Sequence, residues 1–98
     1  MLTRLEALEL VSKELQRRSP PNDLFVVVEK HTIEKAFGWV FFYNSKKYLE
    51  KGTFRFRLAG NGPVIVNKDT GAIEFFGSNE PPEELIRDYE GRSAERGV

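Results

Sequence analysis

The chain has 98 residues, of which 15 are basic and 15 acidic, so its formal net charge at pH 7 is zero. It contains no cysteine and a single histidine, which excludes disulfides, thiol nucleophiles, cysteine-based metal sites and a histidine-rich metal site. Zero net charge also removes the whole-molecule electrostatic argument for a nucleic-acid or anionic-membrane partner, and the length favours one globular domain over two.

The N-terminal segment predicts an amphipathic helix that begins after Thr3. Thr3 and Glu6 have the T-x-x-E spacing of a capping box, in which each side chain accepts a hydrogen bond from the other residue's backbone amide. Two arginines suit the negative end of the helix dipole, and Pro20-Pro21 ends the element. The stripe expected to face the core recurs every three or four residues and consists of Leu5, Leu8, Val11 and Leu15.

The next segments predict strands interrupted by a turn. Residues 24–28 are apolar and branched, and residues 32–37 return to a mixture of apolar and polar side chains. The apolar positions are even-numbered in the first segment and odd-numbered in the second, so we expect a bulge or a turn near residues 29–32. Residues 39–43 are apolar throughout, which is typical of a central strand covered on both sides, or covered on one side with aromatic rings shielding the other.

The middle of the chain predicts a helical turn followed by a hairpin. Residues 45–52 favour a short helical turn that a glycine stops, while residues 53–61 carry no readable pattern. Two strands, 62–66 and 72–76, flank the turn Lys68-Asp69-Thr70-Gly71, in which the glycine supplies a positive φ. We therefore expect these two strands to pair as a hairpin.

The C-terminal segment predicts a second helix. Pro82 falls in its first turn, where a missing N–H costs little, and Gly91 is the expected stop. Glu83 and Glu84 face the positive end of the helix dipole. The edge that should be buried consists of Leu85, Ile86 and Tyr89.

Together these elements predict an α+β fold. Consecutive strands joined by short turns favour an antiparallel sheet of three to four strands, and the N-terminal and C-terminal helices are expected to cover it in a two-layer arrangement. We expect residues 1–91 to form a single domain and residues 92–98 a flexible tail. The chain has neither a signal-peptide pattern nor an apolar run near the ~20 residues that cross a bilayer, so a cytoplasmic protein is expected.

Residues that suggest a reactive site have plainer structural explanations. Gly60-Asn61-Gly62 lacks the lysine and the hydroxyl residue of a phosphate-binding loop and leads into a strand. His31 has no serine in a nucleophile-elbow motif to activate. The acidic residues suit turns and helix ends and do not form a calcium-loop pattern. We therefore expect a protein that is not an enzyme, with no catalytic residues, no cofactor and no metal site.

The segment Phe54-Arg55-Phe56-Arg57 alternates aromatic rings and guanidinium groups. Such alternation occurs in RNA-binding strands, where rings stack on bases and arginines contact phosphates. No RNP-type motif accompanies the segment, and acidic residues elsewhere in the chain offset its charge. In an extended chain the rings share one face and the arginines the other, so the segment also suits a contact with a protein.

A set of short motifs occurs together in the second half of the chain. They are G-W-V-F at 38–41, Y-L-E-K-G at 48–52, L-A-G-N-G-P at 58–63 and a strand with a D-T-G turn at 64–71. With P-E-E-L-I at 82–86 downstream, the chain resembles the immunity protein 35 family over about residues 37–90. The resemblance implies a small bacterial cytoplasmic protein that binds and neutralises a cognate toxin of a polymorphic toxin system, with no catalytic residue and no cofactor.

The resemblance supplies no toxin-contact positions, so the partner surface is predicted from physical considerations. Protein interfaces are anchored by aromatic and arginine side chains inside a polar rim. We therefore predict partner-binding residues that comprise Tyr48, Phe54, Arg55 and Arg57. We expect a monomer or weak homodimer that binds a toxin protein and binds neither nucleic acid nor membrane. Two other functions stay open, namely a small chaperone-like protein that binds apolar client surfaces and, as a weaker alternative, a small RNA-binding module.

Replacing Phe54 and Arg55 together with alanine should weaken toxin binding and leave the fold intact, because the change removes an aromatic and a charged anchor from the predicted surface. Isothermal titration calorimetry measures the affinity, and far-UV circular dichroism checks the fold. An unchanged affinity would place the toxin-binding surface elsewhere.

Overall fold

The computed structural model describes residues 1–52, 58 and 61–96, with side chains as far as Arg92. None of the helices in this part of the chain is both long enough and apolar enough to cross a bilayer. In chain order, the described elements are α1 (Arg4–Arg18), β1 (Phe25–Val27), a 3₁₀ turn (Glu29–His31), β2 (Ile33–Lys35), β3 (Gly38–Phe41), β4 (Tyr43–Ser45), α2 (Lys46–Lys51), β5 (Asn61–Asn67), β6 (Ile73–Gly77) and α3 (Pro82–Arg96).

The strands form two antiparallel sheets. A four-stranded sheet has the order β2-β3-β5-β6, and β1 pairs with β4 in a separate two-stranded sheet. The predicted α+β class is confirmed, and so is the hairpin, in which Val66 of β5 lies opposite Ile73 of β6. The prediction of one strand through residue 43 is wrong, because β3 ends at Phe41 and Tyr43 begins β4 in the other sheet.

The two long helices cover opposite faces of the four-stranded sheet. Side chains alternate along β3, so Trp39 and Phe41 pack in the cluster that contains α1, whereas Val40 packs in the cluster that contains α3. The layers are therefore helix, sheet and helix, which differs from the predicted two layers because β3 and β5 are apolar on both faces. The α1 cluster also contains Ala7, Val11, Leu15, Val64 and Val66, and the α3 cluster also contains Phe37, Ile65, Ile86 and Tyr89.

The predicted capping box at the start of α1 is confirmed. The Thr3 amide donates to Glu6 Oε1 at 2.9 Å, and the Glu6 amide donates to Thr3 Oγ1 at 3.2 Å. The predicted apolar stripe is wrong at Leu5, which is 64% exposed. The buried face is turned away from Leu5 because it follows a regular spacing of four residues through Ala7, Val11 and Leu15.

Three short-range predictions are confirmed. The 3₁₀ turn at Glu29–His31 separates β1 from β2, as the change in apolar phase predicts. Ser45 caps the start of α2, and Gly52 ends that helix in the left-handed region with φ of 67°. Gly71 in the hairpin turn also has a positive φ, of 75°.

The C-terminal helix carries the predicted buried edge and extends past its predicted end. The residues expected to be buried in α3 are buried or half-buried. The predicted stop at Gly91 is wrong, because α3 continues to Arg96. A glycine inside a helix costs only about 1 kcal/mol, which the flanking residues of a helix can offset. The division into a domain over residues 1–91 and a tail over residues 92–98 stays a prediction.

Replacing two glycines with alanine should change the free energy of unfolding in opposite directions. A Cβ at Gly38, which has φ of 148°, would lie 2.0 Å from the Val66 carbonyl oxygen, whereas nothing lies within 4 Å of a Cβ at Gly91. Gly38→Ala should therefore lower the free energy of unfolding by about 1–3 kcal/mol or more. Gly91→Ala should raise it by about 0.5–1 kcal/mol, because alanine is the better helix former. Urea unfolding measures both, and equal midpoints would contradict the packing of β3 against β5.

Candidate protein-binding surfaces

The described side chains do not form a metal centre. Within the described ranges, no three histidine, aspartate or glutamate groups lie close enough to hold a metal ion. His31 is exposed at the end of the 3₁₀ turn, and Asp69 is exposed in the hairpin turn. The described residues also form concave surfaces, which can receive the side chains of a partner.

A pocket of about 500 Å³ lies where β5 begins and β6 ends, and it is termed the end pocket. The half-buried residues Phe42 and Tyr43 line it together with Pro81 and Pro82. Glu80 and other exposed polar residues also line it, so the pocket combines rigid apolar walls with a polar rim. Such a surface suits an apolar anchor side chain of a protein partner. The other lining residues are Asn61, Gly62, Pro63, Gly77, Ser78 and Asn79.

The end pocket lies at an irregularity in the pairing of β5 with β6. The register shifts between Asn61 and Val64, so that Asn61 lies opposite Gly77. A Cβ on Gly62 would lie 2.0 Å from the Gly77 carbonyl oxygen, a contact that glycine avoids. The Asn61 side chain donates to the Tyr43 carbonyl at 3.0 Å and so ties β5 to the small sheet. Asn61 and Gly62 therefore serve the pairing of β5, the strand into which the motif is predicted to lead, while Gly60 lies outside the described residues.

Aromatic contacts hold the side chain of Tyr43 in place. The Tyr43 ring centroid lies 6.2 Å from that of Phe25 in β1 and 6.0 Å from that of Phe75 in β6. The guanidinium of Arg18, the last residue of α1, lies over the Phe75 ring at 3.8 Å from its centroid. This contact joins the end of α1 to the aromatic group. Burial raises the pKa of the Tyr43 hydroxyl. Tyr43, a residue of the end pocket, is therefore held by side-chain packing that links both sheets to α1.

A second concavity, the α1–β1 groove, has a volume of about 300 Å³. Its helical wall consists of Leu8, Ser12 and Gln16, which are spaced four residues apart and so lie on one side of α1. Residues 24–27 and Glu29 line the rest. Sequence reasoning misses both concavities because each combines elements that are distant along the chain. One local signal could indicate the groove: the apolar stripe predicted for α1 is wider than its buried face, and Leu8 of that stripe lines the groove.

The predicted partner residues are only partly located. Tyr48 is half-buried on α2, where its amide donates to Ser45 Oγ at 3.3 Å. Phe54, Arg55 and Arg57 lie outside the described residues. The partner surface predicted from these four residues therefore stays a prediction.

A carboxylate holds the start of α2 and thereby the position of Tyr48. One oxygen of Asp23 accepts from the hydroxyl of Ser45, which is fully buried. The other oxygen accepts from the amides of Leu24 at 2.8 Å and Lys47 at 3.4 Å. These hydrogen bonds, that of Ser45 foremost, hold the pKa of Asp23 below its usual value.

Comparison with known proteins identifies relatives over most of the chain. A sequence profile described as immunity protein 35 matches residues 5–90. A curated relative, named "Uncharacterized protein YrhB" from Escherichia coli (strain K12), is 41% identical over 76 residues, which are 78% of this chain and 80% of the relative. No solved structure matches the chain at a significant level.

Acidification should expose the contribution of Asp23. The pKa of Asp23 is lower in the folded protein than in the unfolded chain. Its carboxylate therefore stabilises the fold fully above the usual aspartate pKa, and this stabilisation is lost as the pH falls from the usual pKa to the lowered pKa. Asp23→Asn should lower Tm at neutral pH, and its Tm should fall less than that of the parent below about pH 5.

The comparison between parent and variant isolates this one carboxylate. Glu6 and Glu14, whose pKa values are lowered by hydrogen bonds from Thr3 and Arg17, titrate in both proteins alike. Asp69→Asn in the exposed hairpin turn is the matched control and should retain the acid sensitivity of the parent. Equal acid sensitivity in Asp23→Asn and the parent would contradict the role assigned to Asp23.

Proposed function

This chain belongs to the immunity protein 35 family, and we propose that it binds and neutralises a cognate toxin of a bacterial polymorphic toxin system. The observation that carries the proposal is the extent of the family match, which includes every described strand together with all but the first residue of α1 and most of α3. In this proposal the protein neutralises the toxin by binding to it and catalyses no reaction of its own.

The end pocket supports this proposal as an anchor site. Rigid walls lose little conformational entropy on binding, so an apolar or aromatic toxin side chain that enters them contributes strongly to affinity. Three exposed carboxylates lie in the pocket lining or just beyond it in the first turn of α3, and they favour a toxin whose matching surface is basic. These carboxylates are Glu80, Glu83 and Glu84.

Tyr48, Phe54, Arg55 and Arg57 are proposed as a further part of the toxin contact, on the reasoning from sequence given above. We propose that the encounter takes place in the cytoplasm, which agrees with a chain that contains no cysteine and so needs no oxidising compartment. The proposed free form is a monomer or weak homodimer, which leaves the contact surface accessible.

A chaperone-like function is the second candidate, and exposed apolar side chains favour it. Leu5 is 64% exposed and Leu49 44% exposed, and such side chains can contact unrelated apolar clients. The two functions differ in stoichiometry, since an immunity protein forms a defined complex with one toxin. Suppressed aggregation of unrelated clients, without a defined toxin complex, would favour the chaperone-like function.

The proposed function predicts that the chain protects cells from the toxin encoded beside its gene and forms a complex with it. Ser78→Trp fills the end pocket from its exposed rim and should weaken the complex at least about tenfold, or ~1.4 kcal/mol. Arg87→Trp places the same side chain on the exposed surface of α3 and should leave the affinity unchanged. Isothermal titration calorimetry with an inactivated toxin measures the affinities.

The growth assay and the binding assay address different parts of the proposal. Cells that die although the chain is expressed, together with no detectable complex, would overturn the function. A complex that tolerates Ser78→Trp would move the anchor site away from the end pocket while the function stands.

A further inference from the structure

Among the described residues, the outer edge of β1 in the small sheet has no strand beside it. β1 pairs with β4, and no other described strand pairs with it. The Val28 amide donates to the Phe42 carbonyl at 2.8 Å, and the Lys46 amide donates to the Leu24 carbonyl at 2.7 Å. In an antiparallel ladder these groups alternate, so the backbone groups of Phe25 and Val27 face away from β4.

Most of this outward edge is unoccupied by the described residues. The Phe25 amide donates to Ser19 Oγ at 2.8 Å, so the residue that ends α1 satisfies the first donor of the edge. The Phe25 carbonyl and both backbone groups of Val27 have no partner in the described part of the chain. An amide and a carbonyl on the same strand residue are the groups that an added antiparallel strand engages.

The α1–β1 groove lies along this edge and supplies contacts for side chains. Leu8, Ser12 and Gln16 of α1 form one wall, and the β1 residues form the other. Leu5 lies three residues before Leu8, hence on the same side of α1, and is 64% exposed. The row from Leu5 to Gln16 is ~16 Å long at the helical rise, which equals the length of about five residues of extended chain.

From these observations we infer that the outward edge of β1 and the α1–β1 groove bind an extended segment of the toxin as an added β-strand. The inference rests on the proposed function. Main-chain hydrogen bonds to Val27 align the segment, and its alternate side chains contact Leu5 and Leu8. This strand contact adds to the anchor in the end pocket.

The dimensions of the edge favour a toxin over a second copy of this chain. β1 has three residues and so spans about 10 Å. Pairing of two such strands forms few hydrogen bonds and buries far less than the ~1,200 Å² that a stable interface needs. A larger partner that contacts the end pocket as well can use this edge as one part of a sufficient interface.

Hydrogen exchange by NMR, on the chain alone and in complex with the inactivated neighbouring toxin, tests the inference at single amides. The Val27 amide should exchange rapidly in the free chain and at least about tenfold more slowly in the complex. The Val28 amide is the internal reference, because its hydrogen bond to the Phe42 carbonyl protects it in both states.

A pair of variants tests the groove without changing Val27, whose half-buried side chain packs against the core. Ser12→Trp fills the groove and should weaken the complex at least about tenfold, whereas Lys13→Trp, on the next exposed position of α1, should not weaken it. Thermal unfolding of both variants checks that the fold is retained.

The outcomes separate this inference from the proposed function. A complex in which Val27 stays unprotected and Ser12→Trp binds normally would overturn the inference and leave the function standing. Protection of Val27 that rises with the concentration of the free chain would assign the edge to a second copy and overturn the inference as well. No complex with the toxin would overturn both.

Discussion

The burial of both faces of the two central strands organises this fold. All four residues of β3 are buried, and Val64 to Val66 in β5 are fully buried. Fully burying a branched or aromatic side chain contributes roughly 1.5–3 kcal/mol, so each face of the sheet needs its own cover. α1 covers one face and α3 the other. Because both of these helices pack against the core, their outer sides, the strand edges and the ends of the sheet are the surfaces that this part of the fold leaves to a partner.

The point at which the chain changes sheets determines where those accessible features lie. β3 ends at Phe41, and β4 resumes at Tyr43 beside β1 in the small sheet. The Tyr43 ring contacts Phe25 and Phe75, so the small sheet is fastened to the large one by side chains rather than by a continuous ladder. The same residue lines the end pocket, and the strand it pairs with carries the outward edge. Both proposed contact features therefore follow from one change of direction in the backbone.

Features that depend on neighbouring residues are predictable from the sequence, whereas those that depend on distant elements are not. The capping box at Thr3 and the glycine that ends α2 follow from spacing alone, and both are confirmed. The exposure of Leu5 is not predictable from its stripe, because the sheet selects the face that begins at Ala7. The helix–sheet–helix layering and the two concavities likewise require the tertiary arrangement. The family can be recognised from the sequence because its motifs are short and contiguous, whereas the residues of each concavity come from distant segments.

The length of β1 has a consequence for the behaviour of the chain at high concentration. Ser19 satisfies the amide at the start of this strand, and the 3₁₀ turn at Glu29–His31 follows it closely. Long, flat, unprotected edges recruit identical molecules one after another and seed fibrils. An edge interrupted on both sides after three residues cannot propagate in this way. The edge of β1 can thus serve as the proposed strand contact without seeding fibrils.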